Sequence, residues 1–371
     1  MTLDRQASDG LLPEGFHDRL PPFADAASRL ERTVLDVAYG HGYEQVDPPL
    51  AEFEDGLASR LKSGAGRNAV RFVDPVSQRT LAIRPDMTAQ VGRIAATRMA
   101  HHPRPVRLCY AGPVVKLRAS ELHPARALRQ IGAELIGLDS VAAAREVVTV
   151  AVEALRAAGI SGIAIDFTLP DLVQTLADGT LTDADLARLR DRLDAKDAAG
   201  VAAIDPAYLP LIEAAGPFDR AAERLRAIAG DALQSRVDGL TQIADALGDD
   251  VAVTLDPTER HGFEYQSWFG FSLFLTNGLG PIGRGGAYSI VRGDGAEEPA
   301  VGFSLYADAV LAVQTGNHER RRLFVPHGTP PERAASLRAQ GWVTVQGLDD
   351  SDTPAAQLCT HELHNGEPRP V

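Results

Sequence analysis

The chain has 371 residues, of which 44% are hydrophobic and 23% charged, a composition typical of a soluble globular protein of two or three domains. No disulfide or metal staple is needed, because core material is ample, and Cys109 and Cys359 have no nearby Cys or His partners at metal-ligand spacing. The formal charge of −13 argues against a nucleic-acid partner, since tRNA binding must neutralise several phosphates. The sequence shows neither a signal peptide nor an apolar run of about 18 residues, so we expect a cytoplasmic chain without a membrane span.

The first half of the chain alternates between helical and extended patterns. Apolar residues recur at helical spacing over Pro22–Tyr39, and Gly40 and Gly42 then favour a helix end. Short strands are predicted at Arg71–Asp74, Thr80–Ile83, Val106–Tyr110 and Ala133–Ile136. A long helix is predicted over Ser140–Ala158, and a strand over Ile163–Leu169.

The second half begins with a block in which helical spacing predominates. Thr182 and Asp185 resemble a capping box, and the helices predicted after it lie at Phe218–Ile228 and Leu233–Leu247. Strands are then predicted at Val251–Leu255, Phe269–Leu275 and Ala300–Ser304, and a helix at Asp308–Val313. The last segment predicts strand Leu323–Pro326, helix Pro331–Ala339 and strand Trp342–Val345.

These elements predict an α+β fold with an antiparallel sheet core. We expect residues 1–169 and 249–315 to form this core, residues 170–248 a helical insertion, and residues 316–371 a small C-terminal α/β domain. The regular βαβ alternation of a doubly wound sheet does not occur, and neither does a Walker loop. The glycine-rich segment Gly283–Gly286 is too short and lacks a clear strand-then-helix context, so it predicts no dinucleotide site.

Four segments, in the same order along the chain, resemble the catalytic core of histidyl-tRNA synthetase, a class II aminoacyl-tRNA synthetase. The first is Leu81-Ala-Ile-Arg-Pro-Asp-Met-Thr88, similar to the family's LRPEGT. The second is Leu108–Lys116 with Arg126–Gly137, similar to motif 2 and to RQFHQLGCE. The others are Glu259-Arg-His-Gly-Phe-Glu-Tyr265, similar to RGLDYY, and Gly283–Tyr288 with Ala300–Ser304, similar to GGRYD and the strand that opens motif 3. The resemblance covers residues 10–315 and implies a class II synthetase-like sheet.

The resemblance implies a pocket for free histidine. The positions that match the family's ligand-binding residues are Asp86, Thr88, Gln130, Glu134 and Tyr265. Carboxylate and amide oxygens suit the ligand's α-ammonium and imidazole N–H groups, and Glu134 in a buried pocket is expected to need a cationic partner. Gln130 and Glu134 lie four apart in a predicted loop that leads into a strand, so both can reach one face. The alternative is that each of these side chains is a structural or surface polar residue.

The resemblance also implies that the ATP half of the site has degenerated. Lys116 stands where motif 2 has arginine, and His261 where the histidine motif has arginine. The GLERL sequence of motif 3 corresponds to residues 306–310, so Tyr306 stands in place of its glycine and Ala309 in place of its arginine. Lysine does not reproduce the bidentate guanidinium, and histidine is largely neutral near pH 7. Several lost transition-state donors would make aminoacylation implausible. We therefore expect no catalytic residue, no cofactor and no metal.

This combination resembles the family of regulatory subunits of ATP phosphoribosyltransferase, the first enzyme of histidine biosynthesis. The resemblance implies a short-form catalytic subunit as partner, L-histidine as effector, and self-dimerisation through Leu30–Pro49 within a hetero-oligomer. The C-terminal segment has about half the length of a synthetase's anticodon-binding domain, which agrees with the absence of tRNA binding. Three alternatives stay open: a degenerate amino-acid ligase, a tRNA-binding paralogue, and a scaffold whose pocket binds nothing.

Overall fold

The computed structural model describes residues 11–58, 69–118, 125–260, 266–278, 280–313 and 321–371. The chain divides into two compact units, Met1–Gln314 and Thr315–Val371. Within the described ranges, no helix is long and apolar enough to cross a membrane.

The first unit combines helices with a large mixed sheet. Its helices are α1 (Phe23–Gly40), α2 (Glu54–Ala58), α3 (Thr88–Thr97), α4 (Val141–Ala157), α5 (Leu172–Ala177), α6 (Asp183–Asp194), α7 (Ala198–Ile204), α8 (Pro210–Glu213), α9 (Phe218–Ala229), α10 (Gln234–Ala244) and α11 (Ala307–Val313). Its strands are β1 (Glu44–Gln45), β2 (Ala51–Phe53), β3 (Val70–Val73), β4 (Thr80–Ile83), β5 (Val106–Val115), β6 (Ala127–Ile136), β7 (Ile163–Thr168), β8 (Gly216–Pro217), β9 (Ala252–Leu255), β10 (Gln266–Leu275), β11 (Gly283–Val291) and β12 (Glu297–Tyr306).

Nine of these strands form one sheet in the order β1-β5-β6-β12-β11-β10-β7-β9-β8. The pairs in the centre of the sheet, from β5 to β7, are all antiparallel, whereas β1 pairs with β5 and β9 with β7 in parallel. Helices and an antiparallel-rich sheet thus occur together in one unit, as the predicted α+β class requires.

The two faces of the sheet differ in chemistry because side chains alternate along each strand. On β6, Ile131, Ala133 and Leu135 enter the main hydrophobic core, to which α1 and α4 also contribute. The intervening residues Gln130 and Glu134 point to the opposite face, where they are buried. The sheet therefore separates the main apolar core from a face on which these polar residues lie beside a second hydrophobic cluster that includes Leu128 and Ile136.

Helix α1 confirms the helix predicted from Pro22 to Tyr39. Its apolar stripe of Ala27, Leu30, Val34 and Ala38 is buried within the chain's own core, where α1 packs on α4. Helix α4 begins after Ser140, whose hydroxyl accepts a hydrogen bond from the Ala143 N–H as an N-cap. Thr182 caps α6 in the same way through the Asp185 N–H.

A three-stranded sheet, β2-β4-β3, leads into α3 and sets the position of Asp86. Arg84, at the end of β4, is only 3% exposed, and its guanidinium donates to the carbonyls of Pro48 at 2.6 Å and Pro113 at 2.8 Å. Burial lowers the pKa of this guanidinium, although Asp47 and Glu52 oppose the change. The turn that carries Asp86 is thereby tied to β5.

One local prediction is wrong. The loop predicted around Gln130 is part of β6, because this strand pairs with β5 from Ala127 onward and with β12 from Gln130 onward. The glycine-rich segment Gly283–Gly286 lies in β11, whose close neighbours favour glycine despite its low strand propensity. A Cβ at Gly285 would overlap the Phe271 ring and the Gly302 carbonyl.

The second unit is a four-stranded sheet with one helix. Its elements are β13 (Arg322–Val325), α12 (Pro331–Ala339), β14 (Val343–Gln346), β15 (His361–His364) and β16 (Glu367–Pro370), with strand order β14-β13-β15-β16. Leu323, Val325 and Leu337 form its small core. The predicted strand–helix–strand sequence is confirmed, and the hairpin of β15 and β16 comes in addition to it.

Candidate functional site

The polar face of the large sheet gathers the site around β5, β6, β12 and β11. In the register of these strands, Tyr110 lies beside Gly132, Gly132 beside Ser304, and Ser304 beside Arg284. In the next row, Glu134 lies beside Gly302, and Gly302 beside Gly286. Tyr110 and Glu134 therefore each lie beside a glycine on this face.

Glycine at 302 is required by the position of Glu134. A Cβ placed on Gly302 would overlap the Glu134 carboxylate, and one on Gly132 would lie 2.5 Å from the Tyr110 hydroxyl. Real Cβ atoms do not approach other atoms so closely, so the two glycines provide the room in which the acid and the phenol lie flat on the sheet.

Asp86, Gln130 and Thr88 form one end of the site. The Gln130 amide nitrogen donates to Asp86 Oδ2 at 2.8 Å and to Ser304 Oγ at 2.7 Å. Its amide oxygen accepts from the Met87 N–H at 2.9 Å, and Asp86 Oδ1 accepts from the Thr88 N–H at 2.7 Å. Gln130 is fully buried, so these bonds fix its rotamer and leave the Asp86 carboxylate held by neutral donors.

Glu134 forms the other end and is 1% exposed. Its carboxylate accepts from the hydroxyl groups of Tyr110 at 2.9 Å and Tyr288 at 2.7 Å. The Tyr110 oxygen also lies 3.1 Å from Ser304 Oγ and 3.2 Å from Thr88 Oγ1, so both ends belong to one network. Among the described residues, the hydrogen-bond partners of the Glu134 carboxylate are hydroxyl groups, whereas the sequence leads us to expect a cation.

Burial raises the pKa of the Glu134 carboxyl to about 8, although the Tyr288 and Tyr110 hydroxyls lower it and Asp86 adds to the increase. Burial and then Glu134 also raise the pKa of Tyr110 well above its usual value, so the phenol remains a hydrogen-bond donor. The site therefore contains a carboxyl group poised to exchange a proton near neutral pH.

The predicted site residues separate into four groups. Asp86, Thr88, Gln130 and Glu134 lie in the network just described. Lys116, at the end of β5, lies beside it, with its Nζ 5.1 Å from the centroid of the Tyr306 ring. Ala309, on α11, packs against the main hydrophobic core. Tyr265 and His261 lie outside the described residues.

Three members of the network carry no assigned role in the sequence interpretation: Tyr110, Ser304 and Tyr288. Two signals in the sequence could have identified them. Tyr110 and Tyr288 lie inside the quoted motifs, and Ser304 closes the strand that resembles the start of motif 3. Strand alternation then places Ser304 on the face of Gly302, which pairs with Glu134.

The chain is similar to histidyl-tRNA synthetases in both sequence and fold. The family model described as histidyl-tRNA synthetase matches residues 15–310. A Bacillus halodurans crystal structure, described as an ATP phosphoribosyltransferase regulatory subunit/histidyl-tRNA synthetase, matches with a TM-score of 0.77 at 21% identity, covering 94% of this chain and 96% of that one. Histidyl-tRNA synthetase from Nostoc gives a TM-score of 0.76 at 16% identity, with coverages of 95% and 90%. The predicted class II synthetase-like fold is confirmed.

Curated relatives extend over nearly the whole chain. A protein from Paramagnetospirillum magneticum is 40% identical over 97% of this chain and 98% of its own length. One from Rhodospirillum centenum is 41% identical, with coverages of 97% and 94%. Both are named ATP phosphoribosyltransferase regulatory subunit. The chain therefore belongs to the family of ATP phosphoribosyltransferase regulatory subunits, which here carries the fold of histidyl-tRNA synthetase.

Proposed function

We propose that this chain is a non-catalytic subunit that acts in the cytoplasm and is required for ATP phosphoribosyltransferase activity in the first step of L-histidine biosynthesis. Its partner is a short-form catalytic subunit that lacks its own regulatory domain, and its effector is L-histidine. The observation that carries the proposal is the buried hydrogen-bond network from Asp86 through Gln130, Ser304 and Tyr110 to Glu134. It supports retention of an amino-acid pocket in a family of regulatory subunits.

Free histidine matches this network group by group. Its α-ammonium is a donor for the Asp86 carboxylate and the Thr88 hydroxyl, and its imidazole N–H is a donor for Glu134. Gln130 orients Asp86, to which it is bonded. We assign Tyr265, from the same motif resemblance, to the aromatic wall of the pocket. Feedback then requires that histidine bind one state of the assembly more tightly than another, typically by about 1–3 kcal/mol.

The replaced positions support a non-catalytic role. Lys116, His261 and Ala309 stand where the resembling synthetase motifs carry arginines that act on ATP or on the transferred group. A retained ligase activity would give ATP–pyrophosphate exchange, which we expect to be absent because fixed guanidinium groups at these positions are missing. A tRNA-binding paralogue would show salt-sensitive binding, which the charge of −13 disfavours.

Reconstitution with the catalytic subunit tests the proposal. We expect condensation of ATP with phosphoribosyl pyrophosphate to require this chain, and added L-histidine to inhibit the mixture. Inhibition should be measured with the catalytic subunit alone, with this chain added, and with heat-denatured chain as the control. If this chain changes neither activity nor inhibition, the proposal fails, and the ligase and tRNA-binding alternatives should be assayed directly. Size-exclusion chromatography of the same mixture tests for the mixed oligomer and for self-dimerisation, which we assign to Leu30–Pro49.

Replacing Ser304 by alanine is expected to weaken histidine binding by about three- to tenfold. The Ser304 hydroxyl lies 2.7 Å from the Gln130 amide nitrogen and 3.1 Å from the Tyr110 oxygen, so its loss loosens both ends of the network without removing a ligand contact. Each neutral hydrogen bond contributes about 0.5–1.5 kcal/mol, which sets the size of the effect. Isothermal titration calorimetry measures it, with Ser289→Ala on β11 as a matched control outside the network. Unchanged affinity in Ser304→Ala would contradict the assigned role.

A further inference from the structure

Two cationic side chains and one aromatic ring lie at the Asp86 end of the site. Arg284 on β11 lies beside Ser304 in the sheet register, and Tyr306 on β12 lies beside Gln130. Alternation along these strands places both on the face that carries Glu134. Diagonal neighbours on adjacent strands are about 7–8 Å apart, so long side chains at 284 and 306 can reach the same space.

Lys116 reaches the same place from the end of β5. Its ammonium lies 5.1 Å from the centroid of the Tyr306 ring, an arrangement in which the ring face attracts the cation. Burial lowers the pKa of Lys116, Asp86 opposes the change and Arg284 adds to it, so Lys116 lies within the electrostatic range of both groups. Burial and then Asp86 raise the pKa of Tyr306, and Arg284 opposes the increase. Its phenol therefore stays neutral.

The charges of the whole site are complementary to a zwitterion. Asp86 and Glu134 provide two carboxyl groups, and Lys116 and Arg284 provide two cations. We assign the ligand's α-ammonium to Asp86 and its imidazole to Glu134. The ligand's α-carboxylate then still needs a cationic partner in the site. The Tyr306 side chain stands where the resembling GLERL sequence has glycine, so a bulky ring fills space that a glycine leaves open.

We propose that Lys116 and Arg284 bind the effector's α-carboxylate and that the Tyr306 ring closes the pocket beyond it, so that the site accepts a free amino acid and rejects derivatives extended at the carboxyl group. This inference rests on the proposed function, because it names the ligand class of the same pocket. Charge-assisted hydrogen bonds from a lysine and an arginine favour an ionised carboxylate over an alcohol or an amide. The ring excludes larger groups by volume.

Calorimetric titration of the full chain with three ligands tests the carboxylate assignment. L-histidine has the carboxylate, L-histidinol replaces it with an alcohol, and L-histidinamide keeps its size but removes its charge. We expect both derivatives to bind at least about tenfold more weakly than L-histidine, because a hydrogen bond to a charged group contributes about 1.5–3 kcal/mol. Lys116→Met should weaken L-histidine by a similar factor and leave L-histidinol unchanged. Lys196→Met is the matched control, since Lys196 pairs with Asp256 at 2.6 Å outside this site.

Tyr306 is tested with L-histidine benzyl ester, whose bulky group lies beyond the carboxyl carbon. We expect no binding to the wild-type chain, measurable binding to Tyr306→Gly, and continued exclusion by Tyr306→Phe, which keeps the ring. Circular dichroism and a thermal melt establish that each variant is folded. If Tyr306→Gly does not fold, Tyr306→Phe is the test variant, because the ring that it keeps must still exclude the ester as in the wild type. Equal affinity for L-histidine and L-histidinol overturns the inference and leaves the proposed function intact. Failure of L-histidine itself to bind overturns both.

Discussion

Glu134→Ala is expected to abolish histidine inhibition of the reconstituted ATP phosphoribosyltransferase while activation by this chain persists. The carboxylate is 1% exposed and receives the hydroxyls of Tyr110 and Tyr288, so no other described side chain can take its position without moving both rings. Removing it deletes the acceptor that we assign to the imidazole N–H. A loss of about 3 kcal/mol, typical when a charged hydrogen-bond partner is removed, corresponds to a shift of more than 100-fold in the inhibitory concentration.

Glu146→Ala provides the matched control for this experiment. Glu146 pairs with Arg107 at 2.7 Å, and Arg107 lies on β5 next to Leu108, with its side chain on the opposite face of the sheet from Tyr110. Partly exposed ion pairs contribute at most about 1 kcal/mol, so this variant should retain both activation and inhibition. If Glu134→Ala is inhibited at the wild-type histidine concentration, the regulatory histidine binds elsewhere in the assembly. If both variants lose inhibition, the effect comes from stability and not from the pocket.

The elements that the sequence predicts well are those whose signals are local. Helix α1 has apolar residues at regular helical spacing, α6 has the Thr182 cap, and α12 coincides with the predicted Pro331–Ala339. Each of these signals lies within one or two turns of the chain, where spacing and capping determine the outcome. The fold class follows because the order of such elements limits the possible architectures.

The elements that the sequence predicts poorly depend on distant partners. Strand β11 contains three glycines, a residue of low strand propensity, and no strand is predicted there, yet Gly285 is needed because a Cβ at its position would overlap the Phe271 ring and the Gly302 carbonyl. Gln130 likewise belongs to a strand because β5 and β12 pair with it across long stretches of chain. Such constraints appear only when the neighbouring strands are in place.

The site shows the same division. Asp86, Thr88, Gln130 and Glu134 can be selected from motifs, but the hydroxyls that hold Glu134 come from β5 and β11, 24 and 154 residues away along the chain. The expectation of a cationic partner follows from the cost of burying a lone charge. In the structure the cost is avoided differently: two phenols donate hydrogen bonds to Glu134, and its raised pKa lets the acid take up a proton instead of pairing with a cation.

That difference predicts how Glu134→Gln changes the stability of the chain with pH. The carboxyl has its ordinary pKa near 4.5 when unfolded and about 8 when folded, so folding favours the protonated form. Its stabilising contribution is complete below pH 4.5 and is lost as the pH rises to 8, by a few kcal/mol in total. Glutamine does not ionise, so the variant's melting temperature should match the wild type near pH 5, exceed it increasingly up to about pH 8, and keep a nearly constant excess above that.

Thermal melts of both chains across this pH range, without histidine, measure the difference. Glu146→Gln supplies a control of opposite sign, because hydrogen bonding to Arg107 lowers the pKa of Glu146 and its contribution is lost as the pH falls. A constant difference between Glu134→Gln and wild type from pH 5 to 9 would show that Glu134 is ionised throughout and paired with a cation after all. A growing difference would mean that Glu134 is an acid that is costly to ionise in the ligand-free protein. A ligand with an imidazole N–H then offsets this cost when it binds, which couples histidine binding to the stability of this face of the sheet.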